Sequence, residues 1–407
     1  MKIKRAETIT LNIPFYARRA TRAMQRAQTH NERMEVVRLE TDNGLVGYGD
    51  AGSVSADYMV GKNPYALLHD SSLSMAGHIA VLDVVGKDAG VPVHALLGNQ
   101  VRQRCPISWW DIDMPAQDWA AEARESVKRG YTCFKMKARP WRDIIKQTEA
   151  VAKVVPADYK FDVDFNGFLL NQPKAEIILQ QLDENPNVGM YESPFYLQTD
   201  LSGARILRQR VRKPIVEHFR EEVLHADCSD GFVVGGGLDA IRVGALNAAF
   251  NKPFWLQIVG TGITAAYAMH LGSVLSHAQL PYITCHELWK HDLLKKRLEV
   301  ENGYMAVPEG PGLGVEIDEK ALERYRVEPG DPTPTDLYRQ KKRILRISWP
   351  GAGKKRIWDF TNEAAYQTEF YQGNIPGFER GVDLEVIEDD GSSSFKKQHA
   401  RLLEQGL

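Results

Sequence analysis

Cysteine is scarce in this chain: four in 407 residues, at positions 105, 133, 228 and 285, with no C-x-x-C pair among them. That usage argues against a disulfide-stapled secreted scaffold, and the four are read as reduced, buried thiols. Net charge is equally scarce. With 51 Lys plus Arg against 53 Asp plus Glu, the formal charge is −2, which gives no electrostatic drive toward nucleic acid or an anionic membrane. No apolar run approaches the roughly 20 residues needed to span a bilayer. The start, Met1-Lys2-Ile3-Lys4-Arg5-Ala6, lacks the apolar core of an export signal, so the cytoplasm is the expected compartment. Complete phosphate-binding signatures are also missing. Gly235-Gly236-Gly237 lacks the G-x-G-x-x-G spacing, and Gly351-Ala352-Gly353-Lys354 lacks the upstream glycine and the hydroxyl residue of a P-loop.

What is present is length and rhythm. At 407 residues and 43% hydrophobic content, the chain can bury a large core and hold two domains. From Cys105 onward, strand-like and helix-like stretches alternate. The expected strands are Cys105–Ile112, Thr132–Lys137, Lys160–Asp164, Val188–Glu192, Pro214–Glu217, Gly231–Val234, Pro253–Val259 and Tyr282–Glu287. The helical stretches between them include 116–129, closed by Gly130, then 141–155 after Pro140, 238–250 and 263–277. Eight such units in about 200 residues fit a closed (β/α)8 barrel, the TIM-barrel architecture, better than an open doubly wound sheet. In such a barrel, catalytic groups sit at the C-terminal ends of the strands. Lys137, Asp164, Glu192, Glu217 and Glu287 all fall at those ends.

Lys135 and Lys137 are separated by one residue, so on a strand they project to the same side. Each ammonium disfavours protonation of the other, which moves one of them toward neutrality and makes it a usable base. Asp164, Glu192 and Glu217 follow at intervals of 28 and 25 positions, about one strand-plus-helix unit each. Their hard carboxylate oxygens suit Mg²⁺. A plainer reading stands beside each: a Lys-x-Lys pair on a solvated face, and strand-end acids capping the next helix.

Gly44-Leu45-Val46-Gly47-Tyr48-Gly49-Asp50-Ala51, Leu82-Asp83-Val84-Val85-Gly86-Lys87, Lys135-Met136-Lys137, Asp164-Phe165-Asn166-Gly167, Glu192-Ser193-Pro194, Pro214-Ile215-Val216-Glu217 and Pro311-Gly312-Leu313-Gly314 occur in that order. Together they make the chain resemble the enolase superfamily, on its mandelate racemase and muconate lactonizing enzyme side, from the first residues to about Ile317. The resemblance implies a small α+β capping domain at 1–104, a barrel at 105–317 and an extension at 318–407. It implies an enzyme that removes the proton beside a carboxylate, with Lys137 as base and Lys135 as its neighbour. Mg²⁺ on Asp164, Glu192 and Glu217 would stabilise the enediolate, an arrangement general to the superfamily. Asn166 would support the metal shell, and Glu287 would contact substrate oxygens.

The sequence departs from that pattern on the sixth strand. Relatives with Lys-x-Lys on strand two place a second lysine near the end of strand six, where this chain has Gly235; strand seven, Phe254–Gly260, carries no histidine. A racemase needs a proton handler on both faces of its substrate, whereas a syn elimination does not. A lyase that dehydrates a hydroxy acid or acid sugar is therefore expected over a racemase, epimerase or cycloisomerase, with His286 or His218 as substitutes for the missing group. A degenerate barrel that binds an acid metabolite without turnover is the other functional class.

Three further expectations concern the surroundings. Arg18, Arg19, Arg22 and Arg26, with Trp110 at the first barrel strand, are candidates to recognise a substrate carboxylate, or the arginines simply form a solvated basic loop. Gly260-Thr261-Gly262 opens a helix, so it is either an anion site or a plain turn. The aromatic extension, with Trp349 and Trp358, is expected to pack on the cap or a neighbouring subunit of a homo-oligomer, with a small carboxylate as substrate.

Overall fold

The computed structural model describes residues 1–16, 19–27, 30–52, 56–351 and 355–407. Its first layer is an antiparallel sheet of β1 (Ile3–Asn12), β2 (Arg33–Thr41) and β3 (Val46–Gly49), with helix α1 (Ala20–Ala27) between β1 and β2. Helix α2 (Met75–Ala89) lies tight against β3. A Cβ at Gly47 or Gly49 would collide with the carbonyls of Ala80 and Ala76, so glycine on β3 is a condition of that packing. The helix starts on a Ser74 cap and stops at Gly90, whose φ of 70° is left-handed. Between those ends Ile79, Val81, Leu82, Val84 and Val85 are buried, each contributing about 1.5–3 kcal/mol of apolar burial.

A short helix α3 (Val93–Leu97) leads to β4 (Arg104–Pro106) and β5 (Trp109–Asp111). Cys105–Ile112 is thus two strands rather than one. β4 pairs antiparallel with a distant strand, while β5 is the first of a parallel sheet. The parallel sheet continues through α4 (Ala116–Lys128), β6 (Cys133–Lys137), α5 (Ile144–Ala152), β7 (Lys160–Asp164), α6 (Gln172–Leu182) and β8 (Val188–Glu192). It then runs through α7 (Leu201–Arg210), β9 (Ile215–His218), α8 (Glu221–His225), β10 (Gly231–Val234), α9 (Asp239–Ala249) and β11 (Phe254–Leu256). Strand order is sequential, β5 to β11, so every crossover is a βα unit.

The eighth expected strand differs. After α10 (Gly262–Val274), parallel bridges join Ile107 to Tyr282 and Gln257 to Ile283, touching both edges of the seven-stranded sheet. Cys285 then takes a left-handed φ of 55°, and 286–288 form a 3-10 turn, so Glu287 is not on a strand. The fold is α/β with a parallel sheet of half-barrel form and a mixed α/β cap. All four cysteines are free and buried.

Beyond this sheet, β12 (Val300–Glu301) pairs with β13 (Tyr304–Ala306), which pairs with β4. Then come α11 (Glu319–Tyr325), α12 (Pro334–Arg339) and an antiparallel sheet of β14 (Arg343–Trp349), β15 (Arg356–Phe360) and β16 (Asp383–Glu388), with α13 (Glu363–Tyr371) and α14 (Ser393–Gln405). This extension packs on the rest of its own chain. Phe370 and Tyr371 lie against Phe168, and Phe378 meets Phe165 edge-on at 5.6 Å. Among the described residues no helix is long and apolar enough to cross a membrane.

Candidate active site

The period-2 pleat of β6 carries Lys135 and Lys137 to the same side, and parallel pairing extends their row across the sheet. Lys137 is in register with Asp164, Asp164 with Glu192, and Glu192 with Val216. The result is one buried charge cluster. Lys137 Nζ is 2.5 Å from Asp164 Oδ2, and Lys135 Nζ is 3.3 Å from the same oxygen. Lys135 also contacts Glu192 Oε2 and donates to Gln257 Oε1 at 2.7 Å.

Burying so many charges is tolerable only because they neutralise one another. Burial, opposed by Asp164 and reinforced by Lys135, holds the Lys137 ammonium below the ordinary lysine value. Burial also works against the charge of Lys135, but Glu192 and Asp164 outweigh it and leave Lys135 above that value. The two lysines are therefore pushed apart, one toward neutrality and the other firmly cationic. Asp164, although burial opposes its charge, is held far below the usual carboxylate range by Lys137 and Lys135.

The other expected residues are distributed less uniformly. Asn166, at a left-handed φ of 46°, donates its backbone N–H to Asp164 Oδ1 at 2.9 Å and accepts from Arg139 at 3.1 Å, so it braces the cluster. Glu217 is buried and turned to the loop after β8: Oε1 accepts from Ser193 Oγ at 2.6 Å and His218 N at 2.8 Å, and Oε2 from Leu197 N at 3.2 Å. Burial pushes its carboxyl up. His218 is the neighbour that reaches the cluster, with Nε2 3.4 Å from Glu192 Oε1. His286 and Glu287 are buried side by side, and His286 Nδ1 is 2.7 Å from Thr284 Oγ1.

The cap supplies His30 and Asp50. The His30 ring stands edge-on to Trp110 at 5.0 Å and, with Asn31, Met75, Val259 and Trp289, lines a cavity of about 470 Å³. Burial and the Lys137 charge push its imidazole down to about 4. Asp50 explains Gly260-Thr261-Gly262. Its carboxylate accepts from Thr261 N at 2.6 Å and also binds the Thr264 hydroxyl, while Gly262 N donates to Asp292 O at 2.9 Å. The anion at this helix start is the chain's own, and that use, which leaves Gly260 and Gly262 in a tight turn, was not legible locally because Asp50 lies far away in sequence.

The basic cluster of the cap is largely engaged elsewhere. Arg18 lies outside the described residues. Arg19 pairs with Asp118 at 2.9 Å on the surface, and Arg22 lies 4.8 Å over the Tyr338 ring. Arg26 is buried against Asp113 at 2.8 Å and also pairs with Glu363. Gln257 is not among the residues expected from sequence: one residue past β11, period-2 spacing from Trp255 brings it to the face of Lys135, whose ammonium donates to it.

Among the described residues, no three His, Cys, Asp or Glu side chains are gathered as a ready-made metal cluster. The donor chemistry nevertheless fits a cation. Glu192 is fully buried, and neither of its oxygens accepts a well-aligned hydrogen bond. What stands between Asp164 and Glu192 is the Lys135 ammonium, a positive charge where a metal would place one.

A family model described as enolase C-terminal domain-like matches residues 118–321, half of the chain. An arabinonate dehydratase from Saccharolobus solfataricus is 25% identical over 349 residues, covering 72% of this chain and 91% of that protein. A D-galactonate dehydratase from Ralstonia nicotianae is 27% identical over 353 residues, with the same 72% and 91% coverage. Among solved structures, a mandelate racemase/muconate lactonizing family protein from Azoarcus sp. EbN1 superposes with a TM-score of 0.67 at 25% identity, covering 81% of this chain and 98% of that one.

Proposed function

The chain belongs to the enolase C-terminal domain-like family, and from that premise we propose that it is a lyase that dehydrates a sugar acid by taking the proton beside the carboxylate. The observation that carries this is the division of the lysine pair: Lys137, lowered by burial, lies 2.5 Å from Asp164, and Lys135 is fixed as a cation beneath it. The dehydratase names of two relatives support the substrate class.

Lys137 Nζ takes the α-proton. The electron pair of that C–H bond moves into the carboxylate as an enediolate and then forms the new C=C bond as the β-carbon loses its hydroxyl. That hydroxyl takes a proton from the Lys137 ammonium on the same face and leaves as water; the enol left behind tautomerises to the 2-keto acid. One positioned base accounts for about 10²–10⁴-fold of such a reaction. A divalent cation such as Mg²⁺, when bound, supplies positive charge to the carboxylate oxygens as the enediolate forms. Asp164 and Glu192 would hold it, with a third donor from the end of β9, for which Glu217 is the candidate by sequence. Asn166 keeps Asp164 oriented, and Glu287 and His286 face the substrate.

The opposite side of the rim carries Gly235, around which a Cβ would meet nothing within 4 Å. A second lysine is missing there although room for one exists, which favours chemistry on one face over racemisation. The bridges at Tyr282 and Ile283 support closure of the sheet into an eight-stranded barrel, with the cap at 1–104 and the extension from 318.

The test is a panel of acid sugars and hydroxy acids with Mg²⁺ in D₂O. A 2-keto-3-deoxy product, with deuterium entering from one face, is expected. Rapid equilibration of both enantiomers of an α-chiral substrate would turn the reading to a racemase or epimerase. Stabilisation by a carboxylate without product or exchange would leave a binding-only barrel.

A further inference from the structure

We propose that the donor offered from the end of β9 to a divalent cation is the His218 imidazole, and that Glu217 instead braces the loop after β8. The inference rests on the reading that a divalent cation belongs at Asp164 and Glu192, and it assigns the identity of their third partner.

Strand parity comes first. Val216 shares the row of Glu192, so the next residue of β9 on that face is His218, while Glu217 is in register with Phe232 and directed the other way. Side-chain contacts agree with the parity. Both Glu217 oxygens are engaged by donors of the chain itself: the Ser193 hydroxyl, His218 N and Leu197 N. Withdrawing Glu217 to a metal would strip three donors of their acceptor, two of them on the loop after β8. His218 has no such commitment, and its side chain is 49% exposed.

Distance is the third observation. His218 Nε2 lies 3.4 Å from Glu192 Oε1, an oxygen that is buried and accepts no hydrogen bond. Two ligands each about 2.1 Å from one ion stand about 3.0–3.4 Å apart for octahedral to tetrahedral angles. The pair is therefore spaced as two ligands of one ion would be. An imidazole in place of a third carboxylate makes the set less hard, which raises affinity for Mn²⁺, Co²⁺ or Zn²⁺ relative to Mg²⁺.

The full chain, stripped of metal and reloaded with Mn²⁺, tests this by pulsed electron paramagnetic resonance, which detects ¹⁴N bound to the ion. Nitrogen modulation is expected in the wild type and in Glu217→Gln, and its loss in His218→Ala, with Mn²⁺ affinity falling about tenfold or more in the latter. Bound Mn²⁺ without nitrogen coupling in the wild type would overturn the assignment, and that readout needs no variant to fold. Loss of Mn²⁺ binding in a folded Glu217→Gln, with His218→Ala unaffected, would overturn it too. Absence of Mn²⁺ binding by the wild type, or binding that survives Asp164→Asn with Glu192→Gln, would instead remove the underlying cation reading.

Discussion

The chain carries two basic clusters, and they meet different ends. Lys135 and Lys137 converge on a carboxylate pair of which Glu192 accepts no well-aligned hydrogen bond, whereas Arg19, Arg22 and Arg26 are taken up by a surface acid, an aromatic ring and a buried ion network. Both clusters stand out in the sequence as closely spaced cations. What separates them is what faces them: β6 holds its lysines together beside Asp164 and Glu192, while Arg22 and Arg26 on α1, and Arg19 just before it, each meet a different partner. A density of charge is therefore no mark of a site until its facing partners are known.

The largest expected effect tests the lysine cluster. Lys137→Ala should reduce exchange of the substrate α-hydrogen by about 10²–10⁴-fold, measured by deuterium incorporation; exchange within a factor of two of wild type would move the base elsewhere. Arg26→Ala should do the reverse, costing about 3 kcal/mol in urea unfolding because Asp113 and Glu363 lose a buried partner. Unchanged unfolding would return Arg26 to the pool of substrate-binding candidates.

Lys135→Ala should shift the activity optimum rather than abolish activity alone. Lys135 helps to lower Lys137, so its removal raises Lys137, a smaller fraction is neutral at a given pH, and the optimum moves to higher pH. A shift to lower pH would contradict the assignment of roles within the pair. The smallest effect belongs to Arg19→Ala, whose exposed partnership with Asp118 is worth about 0–1 kcal/mol. A large loss of turnover there, with stability intact, would give the cap arginines a substrate role after all.

Much of the parallel sheet is visible in the sequence because short apolar runs alternate with helical stretches, and β6, β7 and β8 each end in a charged residue. β6, β7, β8 and β10 lie where periodicity and strand-end residues place them. The first and last strands were not legible in the same way. Cys105–Ile112 divides because Cys105 is claimed by Met305, a partner some two hundred residues away, and Glu287 leaves the strand because Cys285 turns left-handed. At the site, Lys135, Lys137, Asp164 and Glu192 come together as period and spacing suggest. The end of β9 did not yield to spacing alone, since Val216, Glu217 and His218 can be told apart only by the register with β8 and β10.

Arg26 also has a bearing on how the molecule is assembled in time. Its two acidic partners lie 87 and 337 positions along the chain. During synthesis the guanidinium emerges early, acquires Asp113 when β5 and α4 form, and waits for Glu363 until most of the chain has left the ribosome. Contacts of such long sequence separation are slow to close. A nascent chain halted before α13 would thus expose an incompletely neutralised cation, together with the Phe168 face that Phe370 and Tyr371 later cover. Chaperone dependence of folding should accordingly be concentrated late, in the interval between completion of the parallel sheet and arrival of the residues around 363–378.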